Sequence, residues 1–226
     1  MRRRLALAAG ALAALALLLF ANARRLLNTR GAVARTTIRS PEEHTTTGAD
    51  GAVRSVQAAD VDLPQSALDS LWSAENLERL ARTYWRFLTR ISLGAIQVRY
   101  RPDGRDVCLF GVPALTLLSF RAPDYELSAD RGVVRWPIER GLLVSPHGRG
   151  DGHLQITVER RAPTRLHVEV EVASFYPMIA FALSRWVYEN TQSRIHVIVT
   201  HGFLRSLARL DLAESRVGRL RNGSAA

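Results

Sequence analysis

Between residues 96 and 172 the chain changes side again and again. Short stretches alternate apolar with polar residues, and Gly, Pro or Asp stands at most of the joins. No other feature of the sequence limits the fold as much. Alternation with a period of two sets one face of each stretch against a core and turns the other outward. A parallel crossover needs about a dozen residues or more, and these joins are too short, so the strands must form an antiparallel meander. The expected strands are 96–101, 105–110, 115–121, 133–139, 142–145, 153–160 and 165–172. Pro102-Asp103-Gly104 joins the first two, with Pro presetting one backbone angle and Gly supplying a positive one. The last two alternate most cleanly. Leu154, Ile156 and Val158 share a face with Leu166, Val168, Val170 and Val172. Keeping those faces together sets Ile156 opposite Val168 and His153 opposite Glu171.

Helical spacing flanks the meander. A first strand is expected over 53–61, ended by Asp62-Leu63-Pro64, and Ser66 is placed to cap a helix. Leu68, Leu71 and Trp72 make one short apolar face; Leu77, Leu80, Ala81, Tyr84, Leu88 and Ile91 continue it to about residue 92. Glu75 with Arg79, and Glu78 with Arg82, stand four apart with the acid first, an order that suits pairs on an exposed face. Arg82, Arg86 and Arg90 extend that face as a basic stripe, read as solvated surface or as a contact for anionic headgroups. After the meander, Pro177 suits the start of a closing helix that carries Phe181 and Trp186. Phe203, Leu207 and Leu210 recur at about one turn. The β-branched run over 195–200 leaves a further strand open there.

The first thirty residues set an address. Met1 and three arginines precede an apolar run over 5–21 that includes Leu5, Leu12, Leu18 and Phe20, and Arg24-Arg25 close it. The run is at the short end of the ~17–25 residues that span a bilayer as a helix. It exceeds the ~7–15 residues of a signal-peptide core. The arginines at both ends favour an uncleaved anchor, with secretion after cleavage near Ala23 as the alternative. The expected location is the cell membrane, single-pass, with the folded part outside the cytoplasm. The expected organisation is an anchor over 1–27, a flexible polar tether over 28–52, one α+β domain over 53–212 and a disordered tail over 213–226. The tether is expected because its Thr, Glu and Gly residues bury too little surface to offset ordering.

Charge and motifs exclude more than they name. The net charge is +10, of which six units sit on Arg2, Arg3, Arg4, Arg24, Arg25 and Arg30, leaving +4 on the body. That is too thin for nucleic-acid binding, which needs a dense basic patch. Every basic residue is Arg and none is Lys, a bias read as genomic composition. The single cysteine, Cys108, lies in an apolar strand and reads as a small buried hydrophobe. No CxxC, HExxH, GxSxG or GxxxxGK[ST] pattern occurs, so neither a metal nor a cofactor is expected. His153, His167, Glu169 and Glu171 share one strand face and are able in principle to do acid–base work. They alternate with the core-facing residues, which places them on the outer side. Asp124 and Glu126 read as a solvated turn or, if the chain encloses a ligand cavity as the resemblance below implies, as a polar loop at its mouth.

Val61-Asp62-Leu63-Pro64, Leu68, Leu71-Trp72 and Glu75-Asn76-Leu77, with the hairpin over 154–172 running into a last helix, resemble the START-like superfamily. Its members are helix-grip polyketide cyclases and lipid-transfer domains. The resemblance covers about residues 53–212. It implies an antiparallel meander of six to seven strands wrapped on a long C-terminal helix, with an apolar cavity between them. Candidate wall residues are Leu117, Trp136, Ile156, Val168, Phe181 and Phe203, each of which a solid core would also use. The implied function is binding of a membrane lipid or another apolar small molecule. The alternatives are a cyclase- or hydratase-like enzyme, for which no catalytic residue carries over, and a non-catalytic protein-interaction domain at the membrane. Oligomeric state has no signature in the sequence.

Overall fold

The computed structural model describes residues 32–39, 45–146, 149–176, 200, 202–205, 207–210 and 212–214. The expected anchor, Phe181 and most of the expected closing helix lie outside them. Among the described residues, no helix is long and apolar enough to cross a membrane. The strands are β1 (Arg35–Arg39), β2 (Thr45–Thr47), β3 (Val53–Asp62), β4 (Ile96–Arg101), β5 (Gly104–Leu109), β6 (Thr116–Arg121), β7 (Asp124–Leu127), β8 (Arg131–Arg140), β9 (His153–Ala162) and β10 (Arg165–Phe175). Two helices, α1 (Gln65–Leu71) and α2 (Ala74–Ile91), stand between β3 and β4.

The ten strands among the described residues form one sheet in the order β1-β3-β10-β9-β8-β6-β5-β4, with β2 beside β3 and β7 beside β8. Every pairing is antiparallel, as the short joins require. The first long strand, β3, lies against the last, β10, while β4, where the meander begins, is at the far edge of the sheet. The residues that share a face in the sequence share it in the sheet: Leu154, Ile156, Val158, Val168 and Val170 are all buried in one core. α2 packs its apolar side on that inner face. Its rings interlock with those around it: Trp85 meets Phe120 and Trp136 of the sheet, and Tyr84 meets Phe203 of the C-terminal segment, at centroid separations of 5.2 Å. Such edge-to-face geometry is the favourable one for aromatic pairs.

Several expectations need correction. Residues 35–39 and 45–47, expected in a flexible tether, pair as strands with β3. Their partners are backbone groups, and backbone pairing asks no apolar side chain of the edge. The last hairpin pairs Val170 with Ile156 and Ala173 with His153, not Val168 and Glu171. Its turn is the two residues Pro163-Thr164, and a bulge at Arg161, between the Arg165–Ala162 and Leu166–Arg160 pairs, absorbs one more residue. The even shift preserves the faces.

Residues 142–145 are a turn with an isolated bridge at Val144, not a strand. Asp124 and Glu126 belong to a strand, not a loop. The helical stretch breaks at Trp72, and Ser73 rather than Ser66 caps it, its hydroxyl accepting from the Asn76 N–H at 3.2 Å. Arg82 and Glu78 pair at 2.7 Å on a side of α2 that is mostly buried, so the basic stripe is not a uniformly solvated face. After helical residues at 200 and 202–205, the chain takes a 3-10 turn at Leu207–Arg209 rather than a helix to Leu212. Ala213, expected in a disordered tail, is buried and docked. Its N–H donates to Thr83 Oγ1 at 2.8 Å and its carbonyl accepts from Arg79 Nε at 3.0 Å.

Candidate ligand-binding site

At one end of the inner face a missing side chain leaves room. Gly132 stands in β8 opposite Val158 of β9, on the face where Val134, Trp136 and Ile138 fill the core. A cavity of about 80 Å³ opens there. Val158, Val168 and Val61 form its floor, Leu71, Trp72, Leu77 and Leu80 its helical wall, and Leu127 its side; Leu207, Leu210 and Leu212 close it from the C-terminal segment. Ser73 and Asn76 are the polar residues of the lining. Trp72 is held in place as a wall: its indole N–H donates to the Ser128 carbonyl at 3.0 Å, and the Arg160 guanidinium lies 5.1 Å over its ring. Arg160 is itself fixed by Asp69 at 2.9 Å.

Of the residues expected to wall a cavity, Val168 does so. Trp136, Ile156 and Phe203 are fully buried in the aromatic and aliphatic core. Leu117 is half-buried on β6, near the opposite end of the sheet. The sequence reading missed Gly132, Leu77, Leu80, Leu127 and the segment from Leu207 to Leu212. Leu77 and Leu80 carry the helical signal, which marks an apolar face and does not tell core from cavity wall. A glycine's contribution is an absence, which no hydrophobic pattern reports. Farther up the inner face, Gln57 of β3 is wholly buried, and neither atom of its amide has a hydrogen-bond partner.

The outer face is polar and half-buried. His167 Nδ1 is 2.8 Å from Asp60 Oδ1, and Arg39 Nε is 2.9 Å from Asp60 Oδ2. Burial alone would push the Asp60 pKa up, but the His167 and Arg39 hydrogen bonds outweigh it and hold the carboxyl below its usual range. Glu171 binds Arg54 at 2.7 Å. The His153 pKa is lowered by burial and by nearby Arg135. All four titratable residues of the expected outer cluster alternate with core residues, so none of them points into the cavity. Among the described residues, no group of three or more His, Cys, Asp or Glu is arranged to hold a metal.

Glu169 behaves oppositely to Asp60. Burial first, and the neighbouring Glu171 second, raise its pKa above 4.5. A raised acid binds protons more tightly folded than unfolded. Its stabilising contribution is therefore present below its unfolded pKa and is lost as pH rises through its folded value. Glu169→Gln is expected to raise stability at pH 7 and to change it little at pH 4, read by urea denaturation at both. A loss of stability at pH 7 would contradict this account.

No family model matches the chain, and no curated protein resembles it in sequence. Solved structures do resemble it in shape. Human STARD10 is 9% identical with a TM-score of 0.37, the match covering 85% of this chain and 74% of that one. CalU16 from Micromonospora echinospora is 15% identical with a TM-score of 0.32, covering 83% and 80%. A hypothetical protein from Helicobacter pylori is 14% identical with a TM-score of 0.39, covering 74% and 94%. None of these likenesses bears on what this chain binds. The sheet itself, large and antiparallel with few helices, is consistent with a helix-grip-like fold, and no long C-terminal helix lies among the described residues.

Proposed function

We propose that this chain is a membrane-tethered domain that takes an apolar ligand, one end of an acyl chain, into the cavity at Gly132. The observation that carries this reading is the cavity's wall, built almost wholly of Val, Leu and Trp side chains. Its volume of about 80 Å³ is several times the ~10–15 Å³ that admits one water, and apolar cavities of this kind stay dry and accept apolar guests. It is well below the ~300–1,000 Å³ of sites that enclose a whole small molecule. A segment of a chain fits it better than a complete lipid.

The tether reading rests on residues 5–21 and their flanking arginines. A second feature supports it. Leu93, Phe110, Val112, Leu115 and Leu142 are all exposed at the end of the sheet away from the cavity, where β4 begins, β5 ends and β6 begins. Phe110 is 65% exposed and sits at φ 50°, a backbone region bulky residues rarely occupy. Exposed apolar residues gathered at one end fit contact with a lipid surface.

The full chain is expected to sediment with membranes and to resist alkaline extraction. After detergent solubilisation it is expected to carry lipid detectable by mass spectrometry. Gly132→Val puts a side chain into the cavity, where the nearest neighbours of an added Cβ are Leu127 and Leu77 methyls at 3.3–3.4 Å, ends of flexible side chains that can give way. That variant is expected to lose most of the bound lipid while keeping or slightly gaining stability. A chain that stays in the supernatant sinks the tether; a Gly132→Val chain as lipid-loaded as the parent sinks the cavity.

A further inference from the structure

Arginine is almost never fully buried unless it is paired, yet Arg105 of β5 is only 7% exposed. It shares strand parity with Val107, which is part of the core, and so projects inward. There its guanidinium carbon lies 5.2 Å from the Trp136 ring, 5.3 Å from Tyr100 and 5.4 Å from Trp85. Tyr125 is near enough for its hydroxyl to feel the guanidinium's charge. Its Nε is buried without a hydrogen-bond acceptor. Among the described residues no carboxylate is within ion-pair distance of it. Glu78, the acid whose charge reaches it, is engaged by Arg82 at 2.7 Å, and Arg82 also lies 5.1 Å over the Tyr100 ring. Aromatic faces offset part of the cost of burying a cation. They do not supply the anion that a buried guanidinium lacks.

We propose that Arg105, with Trp85, Trp136, Tyr100 and Tyr125 around it, is a binding site for a monocarboxylate carried on an apolar or aromatic body. The planar fork of a guanidinium matches a carboxylate with two parallel hydrogen bonds. Two guanidiniums and one carboxylate leave the cluster a single net positive charge, which one carboxylate neutralises and a phosphate dianion would overshoot. Tyr100 and Tyr125, 44% and 42% exposed, are the solvent-facing rings of the cluster, and the ligand's body would meet them. The site does not depend on the cavity at Gly132. Leu77 and Leu80 of α2 face that cavity, whereas Glu78, Arg82 and Trp85 lie on another side of the same helix.

The test uses the full chain in detergent micelles and two probes of one shape, 2-naphthoate and neutral 2-naphthamide, with calorimetric titration. The parent chain is expected to bind the carboxylate about tenfold or more tightly than the amide, the ratio one charge-assisted contact supplies. Arg105→Gln is expected to abolish that preference and Arg105→Lys to keep part of it. Near-UV circular dichroism shows whether each variant retains its packed rings. If Arg105→Gln does not fold, Tyr100→Ala, at the exposed rim, is expected to fold and to weaken naphthoate binding severalfold. The proposal is overturned if the parent binds neither probe or binds both alike. Retention of the preference by a folded Arg105→Gln chain, or undiminished naphthoate binding by Tyr100→Ala, overturns it as well.

Discussion

Trp136→Ala is expected to cost about 3–5 kcal/mol, the range for truncating a large aromatic in a closed core. Trp136 has no exposed surface, packs edge-to-face on Trp85 at 5.2 Å, and forms one of the rings beneath Arg105. Removing it opens a void between α2 and β8 and strips a cation of one of its aromatic faces. Domains of this size are stable by only ~5–15 kcal/mol, so the loss is a large part of the whole. With a urea slope of ~1–3 kcal/mol per molar, the unfolding midpoint should fall by about 1 M or more. Trp136→Phe should cost much less. It keeps a ring in place and removes an indole N–H that is buried with no acceptor. The comparison also decides between the two roles the sequence allowed Trp136. A wall residue of an open cavity has few atoms on its far side, and its truncation would cost little beyond the transfer of the ring. A loss below about 1.5 kcal/mol would therefore show that this part of the inner face is open and not closed.

That ambiguity shows where the sequence was informative. Strand alternation reported which face each residue of β9 and β10 takes, because one face is buried and a one-residue slip would expose all of it. It could not report whether the space above Trp136 is filled by neighbours or left for a ligand, since both demand the same apolar residues. β7 escaped because all four of its residues, Asp124 to Leu127, are exposed; it is held by backbone pairing to β8 and carries no pattern of burial. β1 and β2 escaped for a related reason, as Thr-rich edge strands need only a free backbone edge on β3 to join. Arg105 was legible in principle. Counting by twos from Val107 places it inward, but a charged residue in an alternating strand is read as outward by default, and nothing nearby in sequence contradicts that. The aromatic rings that accept it come from α2, β4 and β8, and only the fold brings them together.

Gly104→Ala is expected to be as damaging as a core truncation, although it adds one methyl group. From the sequence, glycine is expected here to supply a positive φ in the Pro102-Asp103-Gly104 turn. The structure requires it for another reason, because Gly104 is not among the glycines at positive φ. It pairs with Arg101 and Arg121 at the point where β5 passes β6, and an added Cβ would stand 2.0 Å from the Phe120 carbonyl oxygen. That neighbour is backbone and cannot swing aside, so either β5 or β6 must move. Overpacking of this kind costs about 1–3 kcal/mol where side chains can adjust, and a backbone clash belongs at the upper end or beyond. Because Arg105 is the next residue, the displacement should also lift its guanidinium off the Trp85 and Trp136 rings. Gly104→Ala should therefore lower the denaturation midpoint and, in whatever fraction remains folded, erase any preference for naphthoate over naphthamide. Asp103→Ala, one residue earlier on an exposed turn, makes no such approach and should do neither. If the two substitutions prove equally mild, the close passage of β5 over the Phe120 carbonyl is not a feature of the protein in solution.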